Sequence, residues 1–246
     1  MGNLNDKVIV VTGGNSGIGY AAAKELSAQG AKVIITGRNP EAVQKAAAEL
    51  GVTGIVADQG KLDATDRLVK EVSEKFGKVD VLFINAGIGA FVPIEQATES
   101  HFDEIMDINF KGAYFTLSKF IPTLSDGGSV IFLSSIVANQ SMAGASVYSA
   151  SKAALNSIMK IAALELAPRG IRVNAISPGP IATNILGKAM PQEQVDEFVK
   201  ILSEKSPLKR VGEAHEVAHL VTHLSGDNSK FTTGSEFVID GGLLLV

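Results

Sequence analysis

Cysteine is absent from the 246-residue chain, which excludes disulfides, thiolate metal sites and cysteine nucleophiles together. The absence fits a reducing compartment, and a cytoplasmic location is expected. No apolar run approaches the roughly 18 residues of a membrane span, so no membrane partner is expected. The segment Met1–Lys7 lacks a basic-then-apolar leader, and Asp6 stands where a myristoylation signal wants Ser or Thr. Positive charge is not in excess either: 22 Lys and Arg against 26 Asp and Glu leave a net charge of −4. That balance speaks against a nucleic-acid partner while leaving room for a locally basic pocket. Repeats, low-complexity stretches and linkers are also missing, and the length suits one α/β domain spanning 1–246.

What is present is alternation. Short β-branched runs at Val8–Val11, Val33–Ile35, Gly54–Ala57, Val79–Ile84, Ser129–Leu133, Arg172–Ile176 and Glu236–Ile239 read as strands. Helix-period segments lie between them near 17–29, 40–50, 63–76, 99–122, 147–167, 191–204 and 213–225. Asn39-Pro40-Glu41 reads as an N-cap, a proline at the first helical position and an acidic first turn, with Gly51 as the stop. Strands buried on both faces and separated by helices mean a doubly wound parallel sheet, with ligands at the strand C-termini. The irregular stretch 178–207, with Pro-containing breaks around one amphipathic helix, reads as a lid over the substrate.

The run Thr12-Gly13-Gly14-Asn15-Ser16-Gly17-Ile18-Gly19 follows the first strand and opens the first helix. Glycines allow a tight turn and let backbone approach a pyrophosphate at a helix N-terminus. A glycine cluster alone is also what an ordinary turn looks like; the strand before and the helix after point to a nucleotide. Gly13, Asn15, Ser16, Gly17, Ile18 and Gly19 are therefore cofactor candidates. An NAD site usually carries a carboxylate about 20 residues further on, at the end of the second strand. Here that place reads Thr36-Gly37-Arg38-Asn39. Arg38 can pair with a 2′-phosphate, which favours NADP(H) over NAD(H); the plain alternative is a solvated arginine before a helix. Asp58, ending the third strand, is placed for an adenine amino group or simply to cap its turn.

Tyr148 and Lys152 share a helix face at i, i+4. A phenol titrates near pH 10 and needs a stabilised phenolate to exchange protons near neutrality, which a neighbouring ammonium can supply. The spacing is common on ordinary helices, but two neighbours sharpen it. Ser135 ends a strand at the same sheet edge, and Asn109 falls in the middle of a helix, where asparagine needs a hydrogen-bonding reason to be.

With these residues in order, the sequence resembles the short-chain dehydrogenases/reductases. Thr12-Gly13-x3-Gly17-x-Gly19, Asn85-Ala86-Gly87, Asn109, Ser135, Tyr148-x3-Lys152, Pro178-Gly179 and Asp240-Gly241-Gly242 carry the resemblance over nearly the whole chain. It implies a Rossmann-type sheet of about seven strands in the order 3-2-1-4-5-6-7, and a homotetramer. It implies Tyr148 as acid/base, Ser135 as the hydrogen-bond partner of the substrate oxygen, and Lys152 as the group that binds the nicotinamide ribose and lowers the tyrosine pKa. Asn109 would anchor a relay water. Asn85, Ala86, Gly87, Pro178 and Gly179 would line the cofactor cleft, and Ile181 and Thr183 would contact the carboxamide. Ser134 should face the other way.

The pocket edge would be supplied by Ile88, Phe91, Val92, Met142, Ala143, Ile185, Leu186 and Met190, which favours a small to medium apolar ketone or aldehyde. A 3-oxoacyl thioester is the alternative substrate, with Arg169 as a basic docking residue beside the less helpful Asp126. A cofactor-sensing module without turnover is a different class of function, and the intact Asn109/Ser135/Tyr148/Lys152 set argues against it. His215-Glu216-Val217-Ala218-His219 matches the zinc-protease helix H-E-x-x-H, with His223 one turn on. The segment also reads as the last helix of the domain, and no metal is expected. The apolar end Leu243-Leu244-Leu245-Val246 reads as buried against a neighbouring subunit, or else folded back on its own domain.

Overall fold

The computed structural model describes residues 4–183 and 192–246. Its strands are β1 (Val8–Val11), β2 (Lys32–Gly37), β3 (Thr53–Val56), β4 (Val79–Ile84), β5 (Leu124–Leu133), β6 (Arg172–Pro178), β7 (Ile181–Ala182), β8 (Gly212–Glu213) and β9 (Glu236–Ile239). Its helices are α1 (Gly17–Ala28), α2 (Pro40–Leu50), α3 (Leu62–Phe76), α4 (Glu99–Met106), α5 (Ala113–Phe120), α6 (Ser146–Leu166), α7 (Gln192–Lys205) and α8 (Ala214–Ser225). One seven-stranded parallel sheet runs in the order β3-β2-β1-β4-β5-β6-β9. This is the doubly wound sheet expected, its last strand numbered ninth because β7 and β8 pair in a sheet of their own.

Successive strand residues face opposite sides, and both sides are covered. Val10, Ile34, Leu82, Ile84, Val130 and Phe132 pack under α3, α5 and α6. Ile9, Val11, Ile35, Val81, Phe83 and Ile131 pack under α1, α2 and α8. The order reverses between β1 and β4, and there the loops at the strand C-termini part into a crevice.

Local expectations hold where the signal is local. Asn39 caps α2 through a 2.9 Å bond from Ala42 N–H, and Gly51 ends it at φ 65°. Two expectations are revised. Strand β5 begins at Leu124 rather than Ser129, because Ser125–Gly128 runs along β4 with a register shift between Val79 and Val81. A Cβ on Gly128 would stand 2.9 Å from Asp80 O, so only glycine lets the irregular stretch lie this close.

The helix expected over 99–122 is interrupted by a π-helical stretch at Asp107–Gly112. The widened turn brings Gly112 against the loop after β3, where a Cβ would meet Gln59 O at 2.3 Å.

Of the lid segment, 184–191 lies outside the described residues, and with it Ile185, Leu186 and Met190. Its described parts are β7, held by β8, and α7, which runs Gln192–Lys205 where 191–204 was expected. At the C-terminus, Asp240 accepts Gly242 N–H and Leu244 N–H, both at 2.8 Å. The chain thus folds back and buries Leu243 on its own domain, while Leu245 and Val246 stay exposed.

Candidate active site

The cofactor and catalytic candidates outside the lid gather at one sheet edge, in the loops after the strands and on α1, the π stretch and the start of α6 that follow them. The glycine turn is built by internal packing. A Cβ on Gly19 would stand 2.5 Å from both Asn85 Nδ2 and Gly13 O, and Gly17 sits at φ +55°, so both positions require glycine. Thr12 Oγ1 accepts Asn85 N–H and Ala86 N–H at 3.0 Å each. Asn85 Nδ2 returns bonds to Thr12 O and Gly13 O at 2.8 and 3.2 Å. The turns after β1 and β4 are thereby locked together.

The N-terminus of α1 is left open. Ser16 makes no side-chain cap, and no acidic residue stands in the first turn, whereas α2 is capped by Asn39 and carries Glu41. The free N–H groups and positive end of α1 are what an anion needs. Asn15 Oδ1 lies over Gly37, only 2.4 Å from where a Cβ would be. Arg38 just beyond is exposed, with no ion-pair partner among the described residues. Thr36 is buried, and its carbonyl holds Gly14 N–H at 3.0 Å. Asp58 Oδ1 accepts Gly60 N–H at 3.0 Å. Gly179 N–H donates to Ile239 O at 2.9 Å, which fixes the Pro178-Gly179 bend, and Thr183 Cγ2 comes within 3.6 Å of a Cβ built on Gly17. Ile18 is half-buried at the same edge.

Tyr148 and Lys152 project from the first turns of α6. The Tyr148 ring is half-buried, with Phe91 edge-on at 5.7 Å. Burial raises its pKa, and a hydrogen bond with the Ser135 side chain pulls the other way. Lys152 is 4% exposed, and its Nζ donates to Leu133 O at 2.8 Å while standing 5.8 Å from the Tyr148 ring centroid. Burial brings its pKa down to about 8. The expected lowering of the phenol pKa by Lys152 is therefore not met in the chain by itself. The ammonium lies over the ring face and is spent on a carbonyl, and desolvation of the phenol wins. Ser134 does face away, donating to Lys152 O at 3.3 Å.

Asn109 is fully buried, and its amide is a clamp: Oδ1 accepts Ile88 N–H at 2.8 Å, and Nδ2 donates to Ile88 O at 2.9 Å and to Ser151 Oγ at 3.3 Å. The mid-helix asparagine thus fixes the loop after β4 to the π turn and to α6. Gly87 lies beneath, 3.1 Å from Asn109 Oδ1 and 3.5 Å from Lys152 Nζ when a Cβ is built on it. A side chain there would press on Asn109 Oδ1 and come into contact with Lys152 Nζ.

Thr12 and Gln59 are left unassigned by motif reading. Thr12 has a signal, since it opens the glycine run; Gln59 has only its place after Asp58. Two other assignments change. Arg169 is not available for docking, because it is held by Asp126 at 2.8 Å and by the Ile121 and Leu124 carbonyls. Glu216 is gripped by both Arg210 nitrogens at 2.7 and 2.6 Å, which with Glu213 N–H brings its pKa down to about 2. The H-E-x-x-H acid is thus part of a helix-start ion pair. Among the described residues no three His, Asp or Glu side chains are arranged to hold a metal.

Residues 13–244 match the family model described as enoyl-(acyl carrier protein) reductase. The chain is 35% identical to human dehydrogenase/reductase SDR family member 4, over 97% of this chain and 88% of that one. It is 35% identical to the L-rhamnose 1-dehydrogenase (NAD(P)(+)) of Azotobacter vinelandii, over 98% of each. A short-chain dehydrogenase/reductase structure from Serratia marcescens superposes with a TM-score of 0.91 at 31% identity, covering 98% of this chain and 99% of that one. The chain belongs to the short-chain dehydrogenase/reductase family, a family of oxidoreductases that use a nicotinamide cofactor. No helix among the described residues is long and apolar enough to cross a membrane.

Proposed function

We propose that the protein is an NADP(H)-dependent oxidoreductase acting between a carbonyl and a secondary alcohol, with a small to medium apolar ketone or aldehyde as substrate. The observation that carries this reading is the buried Lys152 ammonium over the Tyr148 ring, with Ser135 at the phenol. The open N-terminus of α1 fits a pyrophosphate. Gly13, Asn15, Ser16, Gly17, Ile18 and Gly19 would hold that group, Asp58 the adenine, and Arg38 with Thr36 and Asn39 the ribose 2′-phosphate. Asn85, Ala86, Gly87, Pro178, Gly179, Ile181 and Thr183 would line the nicotinamide end. When bound, the cofactor supplies or accepts the hydride.

In the reducing direction Tyr148 gives its proton to the carbonyl oxygen while Ser135 holds that oxygen. A raised phenol pKa keeps Tyr148 protonated at neutral pH, which is the form reduction uses. Oxidation needs the phenolate and gains as pH rises. Lys152 binds the ribose hydroxyls with its ammonium. Since Ile88 takes both ends of the Asn109 amide, a relay water would rest on the Asn109 main chain instead. Exposed Phe91 and Met142 give the mouth an apolar rim, and the segment 178–207 closes over it.

Two sets of exposed apolar residues support a homotetramer with two kinds of interface. Phe102, Tyr114, Ile161 and Leu164 lie on α4, α5 and α6, and Phe231, Leu245 and Val246 lie toward the C-terminus. A monomer by light scattering would refute this part. The cytoplasm is the proposed location.

The test is consumption of NADPH and NADH against a panel of ketones, aldehydes and 3-oxoacyl thioesters. Turnover with apolar carbonyls is expected; no turnover with any carbonyl would refute the reading. Arg38→Ala is expected to raise KM for NADPH roughly 10- to 100-fold, the worth of charge-assisted phosphate bonds. Its use of NADH should stay unchanged, and an equal loss with both cofactors would reject the Arg38 assignment.

A further inference from the structure

We infer that Gln59 is a positioning residue for this active site, holding the turn after β4 and the π turn in the register that Asn109 and Lys152 require. The inference rests on the catalytic reading above. Gln59 follows Asp58 in the loop after β3, and it is 8% exposed. Its Nε2 donates to Ala86 O at 2.9 Å and to Ile108 O at 3.1 Å. Both neighbours are carbonyls, so the amide orientation is fixed chemically: only the NH2 end can face them.

These two bonds join the segments the site must hold together. Ala86 lies between Asn85, which locks to the glycine turn, and Gly87, which lies under Asn109 and Lys152. Ile108 precedes Asn109 inside the π stretch. Gln59 therefore spans one pair of residues, 86 and 108, and Asn109 spans the next, tying itself to Ile88. The backbone shares the arrangement, because Gly112 admits Gln59 O closer than any side chain would allow.

The amide is poorly chosen for stability alone. Its Oε1 is buried with no partner among the described residues, and an unpaired buried acceptor is costly. An apolar residue of the same size removes that liability while releasing the two carbonyls. A residue kept only for packing has no use for the amide. A residue kept to set the spacing of two turns needs its NH2 end.

Gln59→Met and Gln59→Glu test this in the full chain. Gln59→Met removes one unpaired acceptor and takes the donor from two carbonyls, so it should fold with only a modest fall in melting temperature, yet lose at least tenfold in kcat. Hydrogen exchange should quicken in peptides covering 85–92 and 105–112. Gln59→Glu places a carboxylate against two carbonyls, a repulsion that protonation relieves. Its kcat, relative to the parent, should recover as pH falls toward 5. Parent-like kcat, pH profile and exchange in a folded Gln59→Met would overturn the inference. So would a Gln59→Glu whose deficit does not change with pH. Should the parent enzyme turn over no carbonyl, the proposed function fails instead, and the exchange and melting data still report whether the clamp exists.

Discussion

Tyr148→Phe is expected to lower kcat/KM for carbonyl reduction by two to four orders of magnitude, the usual worth of a positioned general acid. The change deletes one oxygen and leaves the rest of the edge in place. Phe91 keeps an aromatic edge to pack on, Lys152 keeps Leu133 O, and Asn109 keeps Ile88. The variant should fold and bind NADPH as the parent does, measurable by fluorescence titration. Its defect should lie in single-turnover reduction. A milder companion is Ser135→Ala. Ser135 is the group that pulls the phenol pKa down against burial, so its loss should push the ascending, acid-side limb of alcohol oxidation to higher pH. Full activity in Tyr148→Phe would end the acid/base assignment whatever the cofactor does.

The sheet was legible because its signals are local. Strand runs such as Val79–Ile84 are bounded by turns, and Asn39, Pro40 and Gly51 punctuate α2 as their chemistry demands. The set at the edge was legible as residue types at fixed spacing. What spacing does not contain is how each group is used. Asn109 reads as out of place in a helix, but the π turn that accommodates it depends on Gln59 and Gly112, which are distant in sequence from each other. Arg169 and Glu216 look free in the sequence and are taken by partners only the fold supplies. The direction of the Tyr148 shift is a tertiary fact as well. It is set by desolvation, and the helix periodicity of Tyr148 and Lys152 is silent about that.

Desolvation of Lys152 has a consequence for stability that can be measured without substrate. The folded-state pKa is about 8 against an ordinary lysine's 10.5, so between those values the unfolded chain binds the extra proton. Stability from this group therefore rises with pH, by at most about 1.4 kcal/mol per unit. Tyr148, shifted the opposite way, opposes the rise only above about pH 10, where an unfolded phenol begins to titrate. From pH 8 to 10 the gain should approach roughly 2–3 kcal/mol, which is several degrees in melting temperature for a chain this long. Lys152→Met keeps the length of the side chain and removes the charge. It should flatten the rise and, at pH 7, leave the fold at least as stable as the parent, since the loss of one bond to Leu133 O is set against relief of a buried ammonium. Activity should fall by about a hundredfold or more, as when a preorganised electrostatic partner is deleted. A variant that is less active yet no less stable identifies a residue held in an unfavourable place for what it does. Parent and variant melting curves that climb equally between pH 8 and 10 would show that Lys152 is not the group that titrates there.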